Sequence, residues 1–157
     1  MATKNIKQVL SEAPVFQDMR DDYVERLAGH ASERKIEDGT CLFRSGDPAK
    51  HFYLLVEGDI SIEIPALSGP TLQVQRLKPV RVLGWSWLLP PFKWSFNARA
   101  EVDSTLLEFD GESILSECES DPAFGFEVIK RFSGLMAERL DAAHKKMMEQ
   151  WSPAGFA

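Results

Sequence analysis

The sequence predicts an α+β, mainly β fold: an antiparallel barrel or sandwich with helices at both ends. Three observations carry that expectation. Short β-prone runs recur about every ten residues between Thr40 and Phe109, punctuated by Gly and Pro. Residues 1–35 and 112–151 instead place apolar side chains at helical spacing. A chain of 157 residues with 44% hydrophobic and 27% charged side chains suits one globular domain and excludes the disordered and fibrous classes.

The organisation expected is therefore 1–35 N-terminal helices, 36–111 barrel, and 112–151 C-terminal helices. Ile6, Val9 and Leu10 share one face of a short helix that stops before Pro14. Asp21 or Asp22 caps a second helix running to about Ala31, with Tyr23, Val24, Leu27 and Ala28 at its core spacing. From Arg34 the pattern changes. Asp38-Gly39 and Ser45-Gly46-Asp47-Pro48 are turn signals around a β-prone Thr40–Phe43. Phe52–Val56 reads as a buried strand, Glu57-Gly58-Asp59 turns the chain, and Ile60–Ile64 alternates with isoleucines on one face. A loop over Pro65 to Pro70 precedes Leu72–Gln75. Val80–Leu83, Ala98–Val102 and Thr105–Phe109 complete the strands.

Ser113–Cys118 is a short helix, and Asp121-Pro122 offers an N-cap and a first-turn proline to a helix reaching about Gln150. Ile129, Phe132, Met136, Leu140, Ala143 and Met147 recur along it every three or four residues, close to a heptad seam. A helix of about 28 residues is roughly 40 Å long, more than a small barrel covers, so the seam predicts homodimerisation.

Charge is unevenly spread. The total is −6, yet no acid occurs between Glu63 and Glu101 while Arg76, Lys78, Arg81, Lys93 and Arg99 fall inside. That window carries +5, which subtracted from −6 leaves −11 elsewhere. Trp85, Trp87 and Trp94 sit in the same window, so a small anion would be met there. Cys41 and Cys118 provide no disulfide framework and suit a reducing compartment. The N-terminus has no secretory pattern, and the uncharged run Val82–Phe92 is too short for a bilayer. A cytoplasmic protein without a membrane partner is expected.

The strand and turn order resembles the cyclic-nucleotide-binding domain of bacterial catabolite-activator-type regulators, kinase regulatory subunits and gated channels. The residues carrying it are Val15-Phe16, Asp38-Gly39-Thr40, Phe43, Gly46-Asp47, Phe52 to Gly58, Val82-Leu83-Gly84, Arg99-Ala100 and Leu106 to Asp110. The resemblance implies an eight-stranded antiparallel jelly roll and a C-terminal helix that pairs protomers. It also implies a ligand cassette, here residues 84–100, in which Gly-Glu opens a short helix and holds the ribose while an Arg-Ser or Arg-Ala pair binds the cyclic phosphate.

Within that cassette Gly84 matches the pattern. Trp85 stands at the glutamate position, and anchoring on Arg99-Ala100 places Trp94-Ser95 on the arginine pair. Two charge-assisted contacts of about 1.5–3 kcal/mol each are thereby lost, or roughly two to four decades of affinity. The resemblance therefore implies an altered or plugged pocket, with no cofactor assigned. Two arrangements stand open. Trp85 and Trp94 fold inward and plug the cavity, or they wall a pocket for another small anion, with Gly84, Ser86, Lys93, Ser95, Asn97 and Arg99 as candidate contacts. A cyclic-nucleotide sensor using Lys93 and Ser95 is the alternative within the binding class. A structural dimer module that serves an unidentified protein partner is the alternative outside it.

Catalysis and metal binding are not expected. His30, His51 and His144 lie on different elements and do not converge as metal-binding jelly rolls require. Cys41 reads as core and Cys118 sits between Glu117 and Glu119, unlike an activated thiol. Six residues after Trp151 leave no room for a recognition helix, so DNA is not an expected partner.

Overall fold

The computed structural model describes residues 3–65 and 71–150. Most of the expected loop between Pro65 and Pro70, and everything from Trp151 onward, lies outside the described residues. The chain runs α1 (Thr3–Glu12), a single 3-10 turn (Pro14–Phe16), α2 (Asp21–Ala28), β1 (Ala31–Ile36), β2 (Cys41–Phe43), β3 (His51–Glu57) and β4 (Ile60–Ile64). It continues through β5 (Leu72–Leu77), β6 (Arg81–Leu83), β7 (Asn97–Ala100), β8 (Ser104–Asp110), α3 (Gly111–Ser120) and α4 (Pro122–Gln150). The strands form two antiparallel four-stranded sheets, β1-β8-β3-β6 and β2-β7-β4-β5, the jelly roll that the strand spacing and the resemblance predict.

β1 is the strand absent from the sequence reading, which ended the helical region at residue 35. Ala-Ser-Glu-Arg-Lys-Ile has no apolar alternation, because β1 is an edge strand with exposed side chains, held by its ladder to β8 from Ala31–Phe109 to Ile36–Ser104. The helical region therefore ends at Ala28. Asp21 and Asp22 lie in the first turn of α2, where acids suit the helix dipole, but the N-cap is Arg20 without a side-chain bond. Asp121 does serve α4, its Oδ1 accepting the Phe124 N–H at 3.4 Å.

Sheet β1-β8-β3-β6 has two apolar faces, since successive side chains of a strand point to opposite sides. From β3, Phe52 and Leu54 face the helices, while Tyr53 and Leu55 face the barrel interior; on β8, Leu107 and Phe109 face out and Leu106 in. The helical layer comprises α1, α2, α3 and the first half of α4, packed around Phe16, Phe52, Phe124 and Phe132.

On α4 the buried row is Phe124, Val128, Phe132, Leu135 and Arg139. The expected dimer seam is thus corrected at Phe132, which is wholly buried against Phe16, Phe52 and Trp87 and unavailable to a partner. Met136 is also partly covered by the domain itself. Ile129, Leu140 and Met147 are exposed, joined by Phe126 and Met148, and Ala143 is half-buried. Among the described residues no helix is long and apolar enough to cross a membrane.

Candidate ligand-binding site

The connection from β6 to β7, residues 84–96, carries the cassette. It begins with Gly84 at φ 105°, a left-handed conformation that favours glycine. Residues 85–88 form a hydrogen-bonded turn, Leu88 N–H to Trp85 C=O at 3.0 Å, in place of the short helix that the resemblance implies.

The three tryptophans go to three places. Trp87 turns into the helical layer, where it packs on Phe52 and Phe132 and donates Nε1–H to the Gly84 carbonyl at 3.2 Å. Trp94 turns into the barrel interior. It stacks face to face on Phe43, centroids 3.7 Å apart and planes 6° from parallel, with Phe96 edge-on to both rings. Its six-membered ring is pressed against Gly84: a Cβ there would meet Trp94 Cη2 at 2.7 Å. Trp85 is half-buried between the two apolar clusters, its ring 5.3 Å from Phe96. Of the two arrangements left open by the sequence, Trp94 fills space and Trp85 lines it.

What Trp85 lines is a cleft of about 200 Å³ between the cassette, sheet β2-β7-β4-β5 and α4. Ile62, Ile64 and Val74 form the sheet wall, Trp85, Ser95 and Phe96 the cassette wall, and Met136, Arg139, Leu140 and Ala143 the helix wall. The remaining candidate residues are not in this lining. Ser86 is buried within the turn and Lys93 is exposed, bridged by backbone to Pro48. Asn97 accepts the Ser45 N–H through Oδ1 at 2.8 Å, and Arg99 pairs with Glu63 at 3.5 Å. The +5 window is partly spent on acids as well: Arg76 grips Asp59 with two bonds, of 2.8 and 2.6 Å, and Lys78 binds the same carboxylate.

The residue the sequence reading missed is Arg139. It is only 4% exposed. Nη1 donates to Gln75 Oε1 at 2.6 Å and Nη2 to the Val82 carbonyl at 3.1 Å, while Nε has no acceptor. Burial among apolar neighbours lowers its pKa to about 10, so it is still a cation at neutral pH. A signal was present: Arg139 lies seven residues after Phe132, on the buried face of the helix, but an arginine there reads as part of the solvated face.

His30 lies beside Glu117, His51 near Glu108, and His144 on α4. Among the described residues no three His, Cys, Asp or Glu side chains are grouped to hold a metal.

Comparison with known proteins agrees with this architecture. A curated protein of Rhodopseudomonas palustris named as a potassium channel protein is 23% identical over 135 residues, which is 85% of this chain but 32% of the relative. The chain thus spans about a third of that relative's length. A cyclic nucleotide-binding domain from Methylobacillus flagellatus superposes with a TM-score of 0.78 at 14% identity, covering 94% of this chain and 83% of the other. The catabolite activator protein of Thermus thermophilus superposes with a TM-score of 0.69 at 25% identity, covering 85% and 61%. The model of the cyclic nucleotide-binding domain matches residues 33–121, from the edge strand β1 through the cassette to α3, and the chain belongs to that family.

Proposed function

We propose that this domain is a non-enzymatic, cytoplasmic regulatory sensor whose cassette no longer holds a cyclic nucleotide. The observation that carries the reading is the placement of Trp94, stacked on Phe43 and pressed on Gly84, at the position where the resemblance puts the phosphate-binding arginine. An indole supplies no charge to a phosphate, and Trp85 at the ribose position supplies no carboxylate. Lys93 is exposed and lies outside the cleft that Ser95 lines, which weakens a substitute site built on those two residues.

The output element in this reading is α4. Its exposed Ile129, Leu140 and Met147 pair protomers, and changes at the cassette reach the helix through the cleft wall they share. Isothermal calorimetry with cyclic AMP and cyclic GMP tests the reading, with no saturable heat expected up to about 1 mM. Saturable micromolar binding abolished by Lys93→Ala would restore the nucleotide sensor instead.

A further inference from the structure

The cleft under α4 has one feature that an apolar groove does not need. Its helix wall contains a buried cation whose hydrogen-bond acceptors among the described residues are both neutral, an amide oxygen of Gln75 and the backbone carbonyl of Val82. Among the described residues no carboxylate is hydrogen-bonded to it, and Glu138, its neighbour in the chain, acts on it only through charge. Glu138 takes the Gln75 amide at 3.4 Å, while Arg81 adds repulsion. A guanidinium has five N–H donors. Here one on each terminal nitrogen is engaged, and Nε, fully buried, has none. Charge removed from water without a counter-charge is costly, and a well-placed anion offsets part of that cost.

The rest of the lining limits what that anion is attached to. Ile62, Ile64, Val74, Phe96 and Met136 offer hydrocarbon, Trp85 a flat aromatic wall, and Ser95 the other polar side chain. At about 200 Å³ the space is below the roughly 300–1,000 Å³ of sites that enclose drug-sized ligands. A phosphate dianion would find a single guanidinium and a hydrophobic lining. A carboxylate matches the planar fork of one arginine.

We propose that the cleft binds a small apolar monocarboxylate, its hydrocarbon body between Trp85, Phe96 and Met136 and its carboxylate on Arg139, with Ser95 as a second donor. This rests on the reading above that a cyclic nucleotide is not the occupant. It gives the sensor a different ligand class, read by the output helix itself instead of by the cassette arginine.

Calorimetry on the full chain with octanoate and 1-octanol as matched probes tests the assignment. Octanoate should bind saturably, and 1-octanol about 10- to 100-fold more weakly, the range of one charge-assisted contact. Arg139→Gln should remove that preference by weakening octanoate alone, and Arg139→Lys should keep part of it. Equal affinity for the two probes, or no octanoate heat up to about 1 mM, overturns the proposal. If Arg139→Gln does not fold, because its ties to Gln75 and Val82 are structural, the wild-type comparison of the two probes still decides. Cyclic AMP titrated in the same series separates the two readings. Nucleotide binding that octanoate competes away defeats the altered-cassette reading beneath the proposal. Silence from both ligands defeats only the carboxylate assignment.

Discussion

Gly84 and Trp94 are packed so closely that each fixes what the other can be. The indole edge occupies the volume of a side chain at 84, and the positive φ of Gly84 turns the cassette so that the ring can reach the barrel interior. The indole of Trp94 fills the space beside the bare Cα of Gly84.

That contact predicts non-additive energetics. Trp94→Ala should cost about 3–5 kcal/mol, as large-to-small changes in aromatic cores do. Gly84→Ala should be strongly destabilising alone but distinctly less so in the Trp94→Ala background, where only the backbone strain remains. Urea denaturation of the four proteins measures the coupling, and simple additivity would mean that the two residues do not constrain each other.

The two apolar rows of α4 should separate on mutation. Phe132→Ala should lower stability by about 3–5 kcal/mol through the helical core. Leu140→Glu, at a side chain 73% exposed, should leave the fold intact and shift the proposed dimer to monomer in sedimentation. A Leu140→Glu protein that still sediments as a dimer would remove α4 from the interface.

Acid sensitivity should trace in part to Asp59. Arg76, and then Lys78, hold its carboxyl at about 2, below the ordinary 3.8. A depressed carboxyl stabilises the fold above its unfolded value and loses that contribution as pH falls towards the folded one. The loss should therefore fall between pH 3.8 and about 2. With its basic partners largely exposed, it should amount to roughly 1–2 kcal/mol. Asp59→Asn should flatten the denaturation midpoint across that window. An unchanged slope would place the acid response elsewhere.

Cys118 should be inert. Burial, with Glu117 beside it, pushes its thiol to about 11, so at pH 8 only about one molecule in a thousand carries the thiolate. Mass spectrometry after brief iodoacetamide treatment of the native protein should find Cys118 unmodified, and rapid alkylation there would contradict the packing of α3 on α4.

Much of the fold was legible because its apolar residues announce their period. Ile60–Ile64 alternates, Phe52–Val56 is continuous, and Asp121-Pro122 opens α4 at the expected place. β1 was not legible because an exposed edge strand needs its neighbour's backbone and not an apolar face. In the site, the absence of charge at positions 85 and 94 could be read directly, whereas the divergence of three nearby indoles into three compartments could not. That depends on the turn at 85–88, which rotates Trp85 and Trp87 apart. Arg139 and Phe132 escaped for the same reason: a helix with two adjacent apolar rows shows one period but does not say which row the domain keeps.

The two-faced wall of β3 and β8 has a further consequence. Neither the helices nor the barrel owns its core, since Phe52 and Tyr53 belong to the same strand and serve opposite sides. Peeling the helices away would expose Phe52, Leu54, Leu107 and Phe109 to water, and emptying the barrel would strip support from the strand that carries them. The domain should therefore melt as a single cooperative unit. The amides of Leu54 and Leu55, in a strand flanked by β6 and β8, should exchange with deuterium only through global opening. Such a wall does not absorb a displacement of α4 locally. A shift of the helix is passed to the barrel as a change in the stability of the whole.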